Sequence, residues 1–207
     1  MRVSSEETAY GDPVTRRRIL DVTRDLVETH GSGVRLRDVA AGAGVSRQAV
    51  YLHFRDRAGL MLALVDHIDA QHAAEQVGAE VRAAPSGAEA LRRWVALLAR
   101  YTGAIDRVAE VLERAQDDDE ALGAAWRDRM ARRRRMAGSI VRRIAEEGDL
   151  DPAWSVAEAA DLAYALTMPG PWRVLTRERG WDTDQVGERL FDLLRGSILR
   201  TPGDAPT

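Results

Sequence analysis

Residues 35–57 read RLRDVAAGAGVSRQAVYLHFRDR, and the fold turns on this stretch. Leu36, Val39, Ala40 and Ala43 recur at the spacing of one helix face, which predicts a short helix over about 36–43. Gly44 follows where a helix end asks for a left-handed residue, a conformation that glycine enters without steric cost. Val45 returns to the core, and Ser46 is a favoured N-cap because its hydroxyl can accept a free backbone N–H of the next helix. That second helix, about 47–54, points Val50 and Phe54 inward and leaves Arg47, Gln48, Ala49, Tyr51 and His53 on its other faces. Two helices about a glycine turn, the second carrying polar side chains able to reach base edges, make the helix-turn-helix pattern.

The residues match a known pattern more closely than a pair of core helices would. An aliphatic-alanine pair (Val39-Ala40) is followed by Ala43-Gly44-Val45-Ser46 and then by Tyr51-Leu52-His53-Phe54. At this spacing the stretch resembles the DNA-binding segment of the tetracycline-repressor (TetR) family of transcriptional regulators, over roughly Arg17 to Leu60. The resemblance implies an all-α chain. An N-terminal three-helix DNA-binding domain over 12–55 would precede a helical effector-binding and dimerisation domain over 56–200, with disordered tails at 1–11 and 201–207.

The resemblance also implies residue roles. Arg35 stands where the family opens the first motif helix with a hydroxyl residue, and would hold a phosphate. Tyr51, His53 and Arg57 match positions that clamp the DNA backbone, while Ser46 begins the helix that presents Arg47, Gln48 and Ala49 to the bases. The family often has glycine at Gln48 and threonine or serine at Ala49. Here Gln48 can read adenine bidentately, Arg47 can read guanine, and Ala49 can touch a thymine methyl, so an operator borrowed from relatives would not fit.

Composition bounds the partners. The net charge of −3 is uneven: ten arginines against eight carboxylates in residues 1–60 give +2, and twenty against twenty-five in the rest give −5. A mildly basic N-terminal part on an acidic remainder suits localised contact with double-stranded DNA. All 30 basic residues are arginine, so every phosphate contact uses a guanidinium, which binds bidentately and keeps its charge. The absence of cysteine excludes disulfides, zinc-thiolate sites and cysteine nucleophiles. No apolar run reaches the length of a membrane span, and MRVSSEETAYGDP lacks the apolar segment of a secretory signal, so a cytoplasmic, membrane-free protein is expected.

Along the chain, Asp12-Pro13 predicts a helix start, with Ile19, Val22, Leu26 and Val27 on its inner face and Gly31–Gly33 at its end. Asp56 caps a helix from Arg57 that is expected to run toward Ala84, before Pro85. Ser86-x-x-Glu89 and Ser155-x-x-Glu158 are capping boxes, Asp182-x-x-Gln185 resembles a third, and Asp117 before Glu120 suggests another start. Helices are expected near 86–101, 105–115, 118–147, 155–168, 171–179 and 183–200, and no strand has sustained alternation.

Trp94, Tyr101, Trp126, Met130, Tyr164, Met168 and Trp172 are the candidates to line an effector cavity, whose aromatic and apolar character points to an apolar or aromatic small molecule. Trp154 and Trp181 read as core or anchor positions. Val156, Ala159, Ala160, Ala163 and Leu166 make a small-residue face, and Val186, Leu190, Leu193, Leu194 and Ile198 an apolar stripe. Two such helices per subunit would build a four-helix homodimer interface, the alternative being an internal core stripe.

Arg132-Arg133-Arg134-Arg135 points around more than half a helix and reads as a solvated, ion-paired face. His30, His53, His67 and His72 form no catalytic pattern, and no HExxH, P-loop or GxSxG occurs. No catalytic residue, cofactor or metal site is expected, with Asp66/His67/Asp69 the weak metal candidate. The sequence therefore points to a ligand-responsive, homodimeric repressor. A helical ligand-binding protein without DNA function and a helical enzyme with an unrecognised site remain as rivals.

Overall fold

The structure is a computed structural model that describes residues 12–72 and 74–200, and only the backbone over 74–77. The expected tails at 1–11 and 201–207 lie outside the described residues. The helices are α1 (Pro13–His30), α2 (Leu36–Ala43), α3 (Arg47–Phe54), α4 (Arg57–Gln71), α5 (Ala74–Arg82), α6 (Gly87–Ala115), α7 (Glu120–Glu146), α8 (Val156–Leu166), α9 (Pro169–Arg173) and α10 (Thr183–Ile198). A 3₁₀ turn at Gly31–Gly33 follows α1, and a π turn at Val174–Glu178 continues α9. Among the described residues there is no strand, only a bridge between Leu150 and Leu199. The chain is all-α.

The backbone forms two compact units. The first gathers the described residues up to Gln71 with Arg107–Arg127; the second gathers His72–Asp106 with the described residues from Asp128 onward. The first thus takes in α4, beyond the boundary at 55 expected from the sequence.

In the first unit, α1 starts as its sequence dictates. The Asp12 carboxylate accepts the backbone N–H groups of Val14 and Thr15 at 3.1 and 3.0 Å and the Thr15 hydroxyl at 2.7 Å. These bonds, the hydroxyl's foremost, hold its carboxyl below the usual range. Ile19, Thr23 and Val27 are fully buried along α1, and the Thr23 hydroxyl donates to the Ile19 carbonyl at 2.6 Å. A Cβ on Gly42 would stand 2.7 Å from Val22 Cγ1, so the glycine lets α2 approach α1 closely. Leu60, Met61, Leu64, Val65 and Ile68 bury the inner side of α4. His67 Nε2 lies 3.1 Å from Asp21 Oδ1 and joins α4 to α1.

The second unit is built on Leu91, Trp94 and Val95 of α6, Ile140, Val141 and Ile144 of α7, Ala159 and Ala163 of α8, and Leu194 and Ile198 of α10. The Ser155–Glu158 capping box is complete: Ser155 Oγ accepts the Glu158 N–H at 3.2 Å and the Glu158 carboxylate accepts the Ser155 N–H at 3.0 Å. At Ser86 only one half forms in that way, because the Glu89 carboxylate turns to Arg92 and Arg93.

Four expectations need correction. The helix expected from Arg57 toward Ala84 is interrupted after Gln71, where the sequence holds neither glycine nor proline. The helices expected at 86–101 and 105–115 are one, α6. Gly103 is tolerated inside it because Thr102, Ile105 and Asp106 are buried, and packing outweighs the roughly 1 kcal/mol of an interior glycine. Helix α7 is capped by Asp119, whose Oδ1 accepts the N–H groups of Ala121 and Leu122 at 3.1 Å, rather than by Asp117. Finally, Ala159, Ala163, Val186, Leu194 and Ile198 of the two expected interface stripes are fully buried inside the chain's own core, which leaves Leu193 as the large apolar side chain exposed on α10.

Candidate nucleic-acid interface

Helix α3 is positioned at both ends by local chemistry. Gly44 adopts φ 64°, ψ 37°, and the Val45 N–H reaches the Ala40 carbonyl at 3.0 Å, closing α2 with a left-handed cap. Ser46 Oγ then accepts the Ala49 N–H at 3.1 Å, a cap worth about 1 kcal/mol to an eight-residue helix. Val50 and Phe54 anchor the inner face, each contributing about 1.5–3 kcal/mol by burial. The Arg16 guanidinium lies over the Phe54 ring, 4.6 Å from its centroid.

The opposite face is open. Gln48, Tyr51 and Leu52 are exposed at i, i+3 and i+4, with Arg47 exposed beside Gln48 and Arg55 exposed just past the helix end. Leu52, 49% exposed, is not among the contact residues expected from the sequence. Arg35 is exposed at the start of α2, where its side chain caps nothing, and the free backbone N–H groups of a helix N-terminus favour an anion.

Three of the expected contact residues are placed differently. Ala49 is half-buried. The His53 ring packs against Phe54 with 5.8 Å between centroids, and its Nε2 is enclosed without a hydrogen-bond partner, so that nitrogen does not face a phosphate. Arg57 donates to the Ser32 carbonyl at 2.9 Å, which ties the start of α4 to the turn before α2 and leaves its other N–H groups for phosphate.

The end of α3 is a sharp bend. Arg55 has φ 65°, ψ −56°, and the Asp56 N–H bonds the Phe54 carbonyl at 2.7 Å: the two together are a γ-turn of the rare, strained kind. Asp56 Oδ1 accepts the Gly59 N–H at 2.7 Å and so caps α4. Glycine is required at 59, since a Cβ there would stand 2.1 Å from the Phe54 carbonyl oxygen.

The second unit holds a small cavity of about 10 Å³ lined by Val95, Leu98, Ala99, Thr102, Leu166, Thr167, Met168, Trp172 and Leu190. Of the residues expected to line it, Met168 and Trp172 do. Trp94 is buried in the core, Tyr101, Met130 and Tyr164 are half-buried outside the cavity wall, and Trp126 belongs to the first unit. The helical stripe Val95, Leu98, Ala99 and Thr102 was the available signal for the missed wall.

Nearby, Arg129 donates to the Tyr101 hydroxyl and lies over its ring, and Arg133 donates to the Thr167 carbonyl. Of the arginine run, Arg132 and Arg134 pair outward with Asp128 and Asp161 at 3.1 and 3.2 Å, whereas Arg133 is half-buried. Desolvation, and then the Arg129 charge, push its guanidinium down to about 10. This corrects the reading of the run as a uniformly solvated face. Among the described residues no group of three acidic or histidine side chains could hold a metal, and no helix is long and apolar enough to cross a membrane.

A glycine-turned helix pair that exposes one polar face of its second helix is a helix-turn-helix, the arrangement that can lay its second helix in a DNA groove. The model of the bacterial regulatory proteins of the tetR family matches residues 19–64, which hold α2, α3 and most of the helices that pack on them. Over that stretch the chain is similar to that family.

Solved structures share the fold over nearly the whole length. A protein from Saccharomonospora viridis described as a transcriptional regulator, in complex with choline, is 23% identical with a TM-score of 0.75, covering 90% of this chain and 98% of its own. The SmeT–triclosan complex is 18% identical with a TM-score of 0.71, over 94% and 98%. NalD, the secondary repressor of a multidrug efflux pump in Pseudomonas aeruginosa, is 21% identical with a TM-score of 0.69, over 92% and 98%. No curated protein matches the chain.

Proposed function

We propose that this regulator is a homodimeric, cytoplasmic repressor that holds a pseudo-palindromic operator and is released from it by a small molecule. The observation that carries the reading is the exposed row Gln48, Tyr51 and Leu52 on a helix capped and anchored at both ends. Arg47 and Gln48, at the first turn of α3, are the base readers: Arg47 pairs with guanine and Gln48 with adenine, while Leu52 and Ala49 offer apolar contact to a thymine methyl. Arg35, Tyr51 and Arg57 hold phosphates, which supply most of the affinity and its salt dependence.

Two copies must present α3 to one face of the duplex, about 34–36 Å apart or at a multiple of that. The part of α10 around Leu193 and Gly196, with the exposed side of α8, is the proposed two-fold interface, since Ala159, Ala163, Val186, Leu194 and Ile198 serve the core.

The ligands of the choline and triclosan complexes support an effector site in the second unit. The apolar walls suit an apolar or aromatic body. The cavity has room for about one water, so an effector enters by displacing side chains, and Met168, with three rotatable bonds, yields most readily. Coupling of about 1–3 kcal/mol between the two sites is then required, and DNA must weaken effector binding by the same factor.

Selection of random duplexes by the purified protein tests this. Enrichment of a symmetric motif is the expected result. A protein that enriches nothing, or only an asymmetric sequence, is not such a regulator.

A further inference from the structure

Arg133 is the feature of the second unit that the regulatory reading does not use. It lies on α7 one turn from Arg129 and on the face of Met130 and Ala137, and it turns into the unit while Arg132 and Arg134 reach carboxylates outside. Its single partner among the described residues is the Thr167 carbonyl. No described carboxylate pairs with it, and the groups that act on its charge are the Arg129 guanidinium and, more weakly and in the opposite sense, the Tyr164 phenol. A cation withdrawn from water is costly unless an anion meets it.

The surroundings indicate where that anion comes from. Thr167 and its neighbours Leu166 and Met168 also line the cavity, with Trp172 beyond them. The Thr167 hydroxyl is already spent on the Ala163 and Tyr164 carbonyls at 2.8 and 3.0 Å. Behind this wall, joined to it through the Thr167 carbonyl, stands a guanidinium fork with donors to spare, whose planar geometry matches a carboxylate bidentately.

Resting on the effector site proposed above, we infer that the effector is an organic acid: Arg133 binds its carboxylate, and the wall of Leu166, Met168 and Trp172 receives its apolar body. The stability lost to a half-buried cation with no counter-charge is then recovered when the ligand arrives, which couples binding to the order of α7 and the α8–α9 turn.

Matched probes separate charge from shape. Calorimetric titration with 4-phenylbutyrate, octanoate, their neutral primary amides and choline compares the intact protein with Arg133→Met and Arg133→Lys. At least one carboxylate should bind ten-fold or more tighter than its own amide, as a charged hydrogen-bonding pair implies, and choline should not compete with it. Arg133→Met should erase that preference, and Arg133→Lys should keep part of it. Thermal unfolding of the ligand-free Arg133→Met protein should show a Tm equal to or above the parent's, which confirms that it folds.

Equal affinity for acid and amide, or binding of neither, overturns the inference on the unmodified protein alone, without recourse to a variant. So does a preference that survives in Arg133→Met. The duplex selection is scored separately. An enriched symmetric motif beside acid-blind binding leaves the regulator standing and removes the acid; an absent motif removes the regulator itself.

Discussion

Gly59→Ala is the substitution whose sign the tertiary structure decides. In an open helix position, replacing glycine by alanine stabilises a protein by about 0.5–1 kcal/mol, because the unfolded chain loses freedom and the helix gains propensity. At 59 the added Cβ would stand 2.1 Å from the Phe54 carbonyl oxygen, whereas real contacts of that kind lie beyond 3.0 Å, so backbone must move by about 1 Å. The atom struck is the acceptor of the Asp56 N–H in the γ-turn, and the moving segment includes the Gly59 N–H bonded to Asp56 Oδ1 at 2.7 Å. Losing these two bonds, at about 1 kcal/mol each, outweighs the propensity gain and gives a net cost of about 1–3 kcal/mol. For 207 residues that lowers Tm by about 2–4 °C per kcal/mol. Gly138→Ala, on α7 with nothing within 4 Å of the new Cβ, is the opposite case and should raise Tm by a few degrees. Thermal unfolding followed by far-ultraviolet circular dichroism measures both. If the two variants shift Tm in the same direction, the steric reasoning at the α3–α4 bend is wrong.

Three further outcomes follow from the same geometry. Gln48→Ala should cost about 1–3 kcal/mol at one position of each half-site and relax selectivity there, while Tyr51→Phe weakens all sequences alike; binding arrays of single-base operator variants read the difference, and an unchanged preference in Gln48→Ala rejects the base-reading role. Leu193→Asp, on the exposed part of α10, should leave Tm of the protomer nearly unchanged but convert dimer to monomer in sedimentation velocity, and a variant that remains dimeric moves the interface elsewhere. The Glu89 carboxyl, held down to about 2 chiefly by its hydrogen bond to Arg92 and then by that to Arg93, is ionised in the folded state well below the usual carboxylate range. Its folded value is depressed, so its contribution is present above about 4.5 and lost as pH falls toward about 2. Glu89→Gln should therefore lower Tm slightly at neutral pH and converge with the parent as pH falls toward about 2, which flattens the fall across that window, and an unaltered acid limb refutes the assignment.

The legible parts of this protein are those governed by neighbours in the chain. The turn at Gly44, the cap at Ser46 and the burial of Val50 and Phe54 depend on residues at most five positions apart, and each appears in the structure where the sequence places it. The Ser155–Glu158 box and the Asp182 cap are local in the same way. The misread elements depend on distant partners. The interruption after Gln71 has no local breaker, and the unbroken α6 passes through Gly103 because packing along its length is worth more than the local penalty.

The candidate sites divide along the same line. From the sequence alone came the class of fold, the recognition helix, and the identities of Arg47, Gln48 and Tyr51 on its outer side, since helical periodicity and capping chemistry are properties of a short stretch of chain. Only the tertiary structure decided that His53 hides its Nε2, that Leu52 is exposed, that half of each expected interface stripe serves the interior, and that Arg133 alone of its run turns inward. Periodicity states which residues share a helix face. Whether that face meets water, another helix or a cavity depends on groups dozens of residues away, and for Arg133 on a carbonyl 34 positions further along the chain.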